Sequence, residues 1–189
     1  YQLSFAYLKL SNKDAALQSV EAALKLNPTP KLAVQIWEHK ALVYGMLFRD
    51  TQAAISALQQ AEKLFEQLEP KHKASAQTSV YESFAQAYNQ LGNIAEAIRY
   101  AELSIAIATE NQLETAEMQG RLIAGRLALQ QNNFAMTQMQ LSRALELAQL
   151  LGKEEPIASI HLRLGMAYRK LEQYPLSLEH LLQAEQLYL

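Results

Sequence analysis

FAQAYNQLGNIAEAI, residues 84–98, reads as a helix, a tight stop and a second helix that starts at once. Phe84, Tyr88 and Leu91 fall at helical spacing and pack the first helix. Gly92-Asn93 turns the chain, with Gly92 able to close a helix in the left-handed conformation. Ala97 is small, so a second helix can approach the first closely.

The same pattern recurs along the chain. ALVYGMLFRDTQAAI (41–55) and LGMAYRKLEQYPLSL (164–178) align with it directly. AGRLALQQNNFAMTQ (124–138) is a weaker copy and LSFAYLKLSNKDAAL (3–17) a truncated one. The Ala97 position becomes Ala16, Ala54, Thr137 and Ser177 in the other copies, at successive spacings of 38, 43, 40 and 40 residues. Seven residues later stand Ala23, Ala61, Ser104, Ala144 and Ala184, again all small. Between these columns lie Val20, Leu58, Ala101, Leu141 and Leu181, at the i+4 spacing of a buried helix face. Self-similarity at a fixed period of this length marks a repeat array.

Composition agrees with an all-α chain. Half of the 189 residues are hydrophobic, the net charge is −2, and Gly and Pro number only 6 and 5. Ala, Leu, Gln and Glu dominate, all strong helix formers, and period-two alternation is missing. The near-neutral balance argues against a broad nucleic-acid surface, which needs concentrated Lys and Arg. No apolar run approaches the roughly 20 residues of a membrane helix. There is no cysteine, which excludes disulfides and thiol chemistry and leaves the choice between cytoplasm and periplasm open. Helices are predicted near 1–10, 13–26, 31–48, 51–68, 72–91, 94–110, 113–131, 134–151, 155–171 and 175–188. Pro156 and Pro175 suit first-turn positions. NPTP (27–30) and EPKHK (69–73) break helices between repeats. Both ends, YQLSFAYLKL and EQLYL, read as mid-helix sequence, so the chain is expected to be a piece of a larger protein.

The repeat resembles the tetratricopeptide repeat family over almost the whole chain. The matching residues are clearest in Leu164-Gly165, Tyr168, Tyr174, Ser177, Leu181 and Ala184, and in Phe84-Ala85, Tyr88, Leu91-Gly92, Ala97 and Ser104. The first copy ends on the family's proline, Pro28. Departures are the period, near 40 rather than about 34, and Gly45 and Ala128 where Tyr is usual. The longer period is similar to variant arrays in bacterial signalling and regulatory proteins. The resemblance implies one domain over 1–189, a right-handed superhelix of about five antiparallel helix pairs. The repeats fall near 1–28, 31–69, 72–111, 113–152 and 155–189.

In the family the first helix of each pair lines a concave groove. Carried over by position, the groove candidates are Ile36, His39, Val43 and Met46; Ser79, Glu82, Gln86 and Asn89; Gln119, Arg126 and Gln130; and Ser159, Arg163, Met166, Arg169 and Lys170. Ser79, Glu82, Gln86 and Asn89 share one helical face opposite the apolar Val80, Phe84, Tyr88 and Leu91. Gln and Asn can meet both donors and acceptors of an extended peptide; a solvated helix face is the plain alternative. Arg163, Arg169 and Lys170 could meet an acidic partner, or be balanced by Glu172 and Glu179. Chaperone-binding members grip a C-terminal carboxylate with Lys and Asn at set positions. Those positions here read His39 and Val43, Glu82 and Gln86, Leu122 and Arg126, and Leu162 and Met166, so that clamp is not expected.

Chemistry finds little support. There is no HExxH, phosphate-binding glycine loop or GxSxG. The four histidines, His39, His72, His161 and His180, have no i, i+4 metal spacing. His39 reads as a surface histidine unless it binds a ligand or reports pH, and Trp37 as a packing residue. No catalytic residue, metal or cofactor is assigned. The expected function is non-enzymatic binding of a protein or peptide, with no nucleic acid and no membrane, as the sensory or recruitment part of a larger bacterial signalling protein. The alternatives are a small-molecule or signalling-peptide sensor, and a self-association module that dimerises through its repeat ends at Tyr1 or Leu189.

Overall fold

The computed structural model describes residues 2–10 and 12–188; Tyr1 and Leu189, the ends named for self-association, lie outside them. Among the described residues every regular element is helical. They are α1 (Gln2–Lys9), α2 (Lys13–Lys25), α3 (Pro30–Val43), α4 (Thr51–Glu62), α5 (Pro70–Gln90), α6 (Ile94–Glu110), α7 (Glu114–Gln130), α8 (Phe134–Leu150), α9 (Glu154–Lys170) and α10 (Tyr174–Tyr188). Packing divides the chain into two compact units, 1–97 and 98–189.

One turn joins most neighbours. After α5 the Gly92 N–H donates to the Asn89 carbonyl at 3.0 Å and the Asn93 N–H to the Tyr88 carbonyl at 2.9 Å. This pair of bonds is the Schellman arrangement, which satisfies the orphan carbonyls of a helix end. It places Gly92 at φ +76°, where a residue without Cβ meets no penalty. The Asn93 side chain then accepts from the Glu96 N–H at 3.3 Å, capping α6. The same bonds recur at Asn132 and Asn133 and at Gly152 and Lys153. They recur again at Gln112 and Leu113 and at Glu172 and Gln173. Gln112, Asn132 and Glu172 hold the left-handed position despite their side chains, at φ +55°, +58° and +61°. Asn12, Asp50 and Asn133 cap their helices as Asn93 does.

Two segments depart from the helices expected. Helix 31–48 runs as α-helix only to Val43 and finishes as a π turn, Tyr44–Phe48. Helix 51–68 stops at Glu62 and tightens into a 3₁₀ turn, Phe65–Gln67. Residues three apart eclipse in that geometry, so Phe65 and Leu68 both turn inward and are buried. Phe65 meets the Tyr81 ring edge-on, with centroids 5.8 Å apart. Pro70 then opens α5 at its first position. Pro30 does the same for α3.

The small-residue columns sit where helices cross. Ala16, Ala54, Ala97, Thr137 and Ser177 are buried, as are Ala61, Ser104, Ala144 and Ala184; Ala23 is half-buried. In the first unit Ala16, Val20, Ile36 and Val43 form a core with Tyr7, Leu17 and Phe48 packed on it. In the second, Met118, Leu141, Leu147, Ile160 and Leu164 do so. Closest approach in the second unit falls on glycines. A Cβ on Gly125 would stand 2.6 Å from Leu141 Cγ. One on Gly165 would stand 2.7 Å from Leu181 Cγ and 3.2 Å from the Ser177 carbonyl. The Ser177 hydroxyl also donates to the Gly165 carbonyl at 2.8 Å. A polar cluster joins α7 and α8: buried Glu117 accepts from Arg121 at 2.8 Å, and Arg121 also donates to Gln140 at 2.9 Å.

Gly165→Val should destabilise the chain by about 1–3 kcal/mol through overpacking, despite the better helix propensity of valine over glycine. Leu181→Ala in the same chain should recover part of that loss, so urea unfolding of the four variants of the cycle should show coupling of opposite sign to the Gly165→Val cost.

Candidate functional site

In the first unit α3 and α5 lie side by side, each the opening helix of its pair, and leave a cavity of about 330 Å³. Its floor is small, with Ala41, Ala54 and Ala87, and one wall is apolar, with Phe5, Leu42 and Met46. Leu58 and Gly45 add to the apolar lining, and the polar lining is Gln35, Glu38, His39, Ser83, Gln86 and Gln90. A second depression of about 310 Å³ shares Gln35 and Glu38 with the first and continues past Ser79, Ser75, His72 and Lys31. Together they form one groove along two helices, with Glu38 at the joint.

Glu38 is held by the opposite helix. The Ser79 and Ser83 hydroxyls both donate to its Oε1, at 2.6 and 3.0 Å. The two serines are one turn apart on α5, so they face α3 together. The π turn sets Gly45 and Met46 at the far end of the cavity, and Met46 and Phe5 remain 60% and 41% exposed.

His39 is a correction to the surface residue expected: only 3% exposed, it lies against Phe5 with ring centroids 3.8 Å apart and the planes tilted by 37°. Its Nε2 lies 2.9 Å from the Ser4 hydroxyl oxygen. Ser4 has one hydroxyl proton, and donates it to the Ala16 carbonyl at 2.9 Å. The proton between Ser4 and His39 therefore belongs to Nε2, and the imidazole donates. Burial lowers the His39 pKa from its ordinary value, so the ring is neutral at pH 7.

The other residues singled out by position separate into groups. Met46 and Gln86 line the cavity, and Ser79 lines the adjoining depression. Val43 is wholly buried in the core with Ala16, Val20 and Ile36, which removes it and Ile36 from the groove. Glu82 and Asn89 are half-buried and line neither hollow, and the Asn89 Oδ1 is buried without a hydrogen-bond partner. Gln35, Glu38, Ser83 and Gln90 were missed. The face turned to the groove is 79, 83, 86, 90 on α5 and 35, 38, 42, 46 on α3, one position away from the stripes expected at several points. The signal was present in the serines at i and i+4 opposite a lone carboxylate.

In the second unit Gln119, Arg126, Arg169 and Lys170 are exposed and Arg163 is half-buried. The Arg163 guanidinium donates to the Ser159 carbonyl at 3.3 Å. Arg126 is crowded enough that desolvation, and then the like charge of Arg163, lower its pKa. Arg169 and Lys170 occupy the last turn of α9, where cations suit the helix dipole. Trp37 carries the Lys40 ammonium 5.2 Å from its ring centroid, and Lys40 reaches Glu21 of α2 at 3.2 Å.

The structure also joins two histidines that the sequence leaves 19 residues apart. His161 Nδ1 and His180 Nδ1 are 2.7 Å apart, and His180 stacks on Tyr168. One nitrogen must donate and the other accept, so the pair is incompatible with two added protons. Among the described residues no three of His, Cys, Asp or Glu gather to hold a metal ion. No helix of the described residues is long and apolar enough to cross a membrane.

The family model described as tetratricopeptide repeat matches residues 1–30 and 78–111, which contain α1, α2, most of α5 and α6. Comparison with curated protein sequences gives no match. Among solved structures the fold is similar to that of RapI in its apo form, with a TM-score of 0.87, 14% identity, and 99% of this chain and 68% of that one covered. It is also similar to a signal transduction ATPase with a tetratricopeptide repeat sensor from Pyrococcus horikoshii, with a TM-score of 0.83 and 17% identity. That match covers 99% of this chain and 28% of the ATPase. A third is the tetratricopeptide-like repeat region of a putative kinesin light chain from Podosopora anserina, with a TM-score of 0.73, 18% identity, and 99% and 92% covered. Two stretches of the chain thus match the tetratricopeptide repeat, and the chain has the all-α fold of tetratricopeptide-repeat solenoids.

Burial first, and for His161 the neighbouring charge of His180, lower both pKa values of the histidine pair, against a smaller raising effect from Glu179. The unfolded chain therefore takes up protons as pH falls through about 6.5, before the native chain does, and native stability is lost in that window. The urea midpoint should fall between pH 7.5 and 5.5. His180→Asn should flatten the fall, leaving the part due to His39; an unchanged slope would refute the assignment.

Proposed function

We propose that this chain is a non-catalytic module that binds an extended peptide segment of a partner in the groove between α3 and α5. The observation that carries it is the length of the groove: two hollows of about 330 and 310 Å³ in line, sharing Gln35 and Glu38. A compact small molecule fills one such hollow, whereas an extended strand at about 3.3 Å per residue uses both. Gln35, Gln86 and Gln90 offer donors and acceptors to a peptide backbone. The apolar wall offers a seat for alternate side chains. A sensory or recruiting role in a larger bacterial signalling protein fits this reading. The similar ATPase carries repeats described as a sensor.

A second reading, self-association, is favoured by one feature. Tyr174, Leu178 and Leu182 form an exposed stripe one turn apart on α10.

Peptides selected from a displayed library on the intact chain should lose about tenfold or more in affinity to the double variant Gln86→Ala, Gln90→Ala, the expected cost of two hydrogen bonds worth about 1 kcal/mol each. Full affinity with unchanged circular dichroism would sink the groove. Light scattering from micromolar to millimolar chain should show a constant monomer mass; a mass that doubles, and reverts on Leu178→Glu, would favour self-association instead.

A further inference from the structure

The charge of the groove is lopsided. Of the side chains lining the 330 Å³ cavity, Glu38 is the acidic one and His39 the basic one. His39 is neutral by burial, with its Nε2–H committed to Ser4. The cavity therefore presents one full negative charge and no positive one.

Among the described residues no cation forms an ion pair with that charge. Lysines nearby in sequence are engaged elsewhere: Lys40 with Glu21 at 3.2 Å and Lys73 with Glu66 at 2.8 Å. Lys31, in the adjoining depression, is two turns earlier on α3 and so about 10 Å away along the axis. What Glu38 does have is two hydroxyl donors, both on Oε1. They fix the direction of the carboxylate, and among the described residues no hydroxyl donates to Oε2. A carboxylate held in this way in a concave, half-buried site is preorganised for a cation. Beside it, Phe5, Leu42 and Met46 keep apolar surface open to solvent, at 41, 41 and 60%.

We propose that the groove selects peptides carrying a primary amine or guanidinium side chain next to an apolar one, the cation seated on Glu38 and the apolar group on Phe5, Leu42 and Met46. This rests on the peptide-groove reading and narrows it to one class of ligand. It is the reverse of a carboxylate grip: a free C-terminus would meet Glu38 as a like charge. The amides of Gln86 and Gln90 then hold backbone irrespective of sequence, and Glu38 reads side-chain charge.

The test uses the whole chain and four pools of fluorescein-labelled octapeptides, acetylated and amidated so that no terminal charge intervenes. The pools are random except for a central pair: Arg-Leu, norleucine-Leu, Glu-Leu or Arg-Ser. Anisotropy should show the Arg-Leu pool bound at least tenfold more tightly than each of the others. Glu38→Gln, which keeps an acceptor for both serines, should bring Arg-Leu down to the norleucine-Leu level without changing the thermal midpoint. The double variant Gln86→Ala, Gln90→Ala should weaken all pools alike. Equal affinity of wild type for Arg-Leu and norleucine-Leu, with that double-variant effect intact, would overturn the cationic anchor and leave the groove standing. Loss of neither preference nor affinity in either variant, or no binding of the Arg-Leu pool, would overturn both. Spermidine displacing the Arg-Leu pool at equal concentration would assign the carboxylate to free amines and overturn the paired apolar seat.

Discussion

The approach of two helices at a small side chain is the constraint on which the other features depend. Where Gly165 faces Leu181, a methyl group would already stand 2.7 Å from the leucine Cγ. The leucine fills the notch that the missing side chain leaves, as a knob fills a hole. Close contact of this kind is possible only if both helices arrive in register, and the turn supplies that register. One left-handed residue satisfies the last carbonyls of the first helix, and after Arg49, Gly92 and Asn132 the following Asp or Asn also caps the second. Backbone polar groups are thus settled within about three residues. A longer connection would leave them to water and the crossing to chance. Each pair so formed still has an apolar face that it cannot bury alone, and stacking the next pair on it is the solution that repeat proteins share.

These requirements explain why the architecture was legible. Small residues at two turns' separation, an apolar residue between them and a turn at Gly92 or Gly152 are local demands, and each maps to one position in every copy. The groove was less legible for a geometric reason. Each residue rotates a helix face by about 100°, so an alignment anchored on the second helix, at Ala97, carries a small error around the first. Val43, Glu82 and Asn89 were expected on the stripe and line neither hollow, whereas their neighbours Leu42, Ser83 and Gln90 do; His39 was expected there and lines the cavity beside Glu38. Val43 consequently belongs to the core side of the boundary, while His39, though buried, still borders the cavity. The π turn at Tyr44–Phe48 adds to the shift where α3 meets the cavity. No periodicity announces it, since it changes hydrogen bonding without breaking the helix.

The histidines illustrate a second kind of illegibility. His161 and His180 show no metal spacing, and nothing in either helix alone suggests contact. They meet because α9 and α10 are antiparallel about a turn at Glu172, so residues roughly equidistant from that turn come opposite each other. Pairing across a hairpin can be computed once the hairpin is known, as the 2.7 Å contact confirms. Spacing rules along one helix cannot find it.

The division of labour within the groove follows from what each element can vary. Second helices supply the small columns, and a change there alters crossing geometry for the whole unit. First helices contribute one face to the core, through Ile36, Val43, Val80 and Phe84, and expose the other. Polarity on that other face is unconstrained by packing, so selectivity can reside there without cost to the fold. The positions that would form a carboxylate clamp make the point in physical terms. In α3 they are His39 and Val43, and both are buried, one hydrogen-bonded to Ser4 and the other packed on Ala16 and Val20. Placing Lys and Asn there would bury a charge among apolar neighbours, which a chain of this size tolerates poorly. Glu38, one residue earlier, faces solvent and two hydroxyls. Moving the charged position by a single residue, and reversing its sign, changes the charge that the groove presents while every crossing residue stays in place.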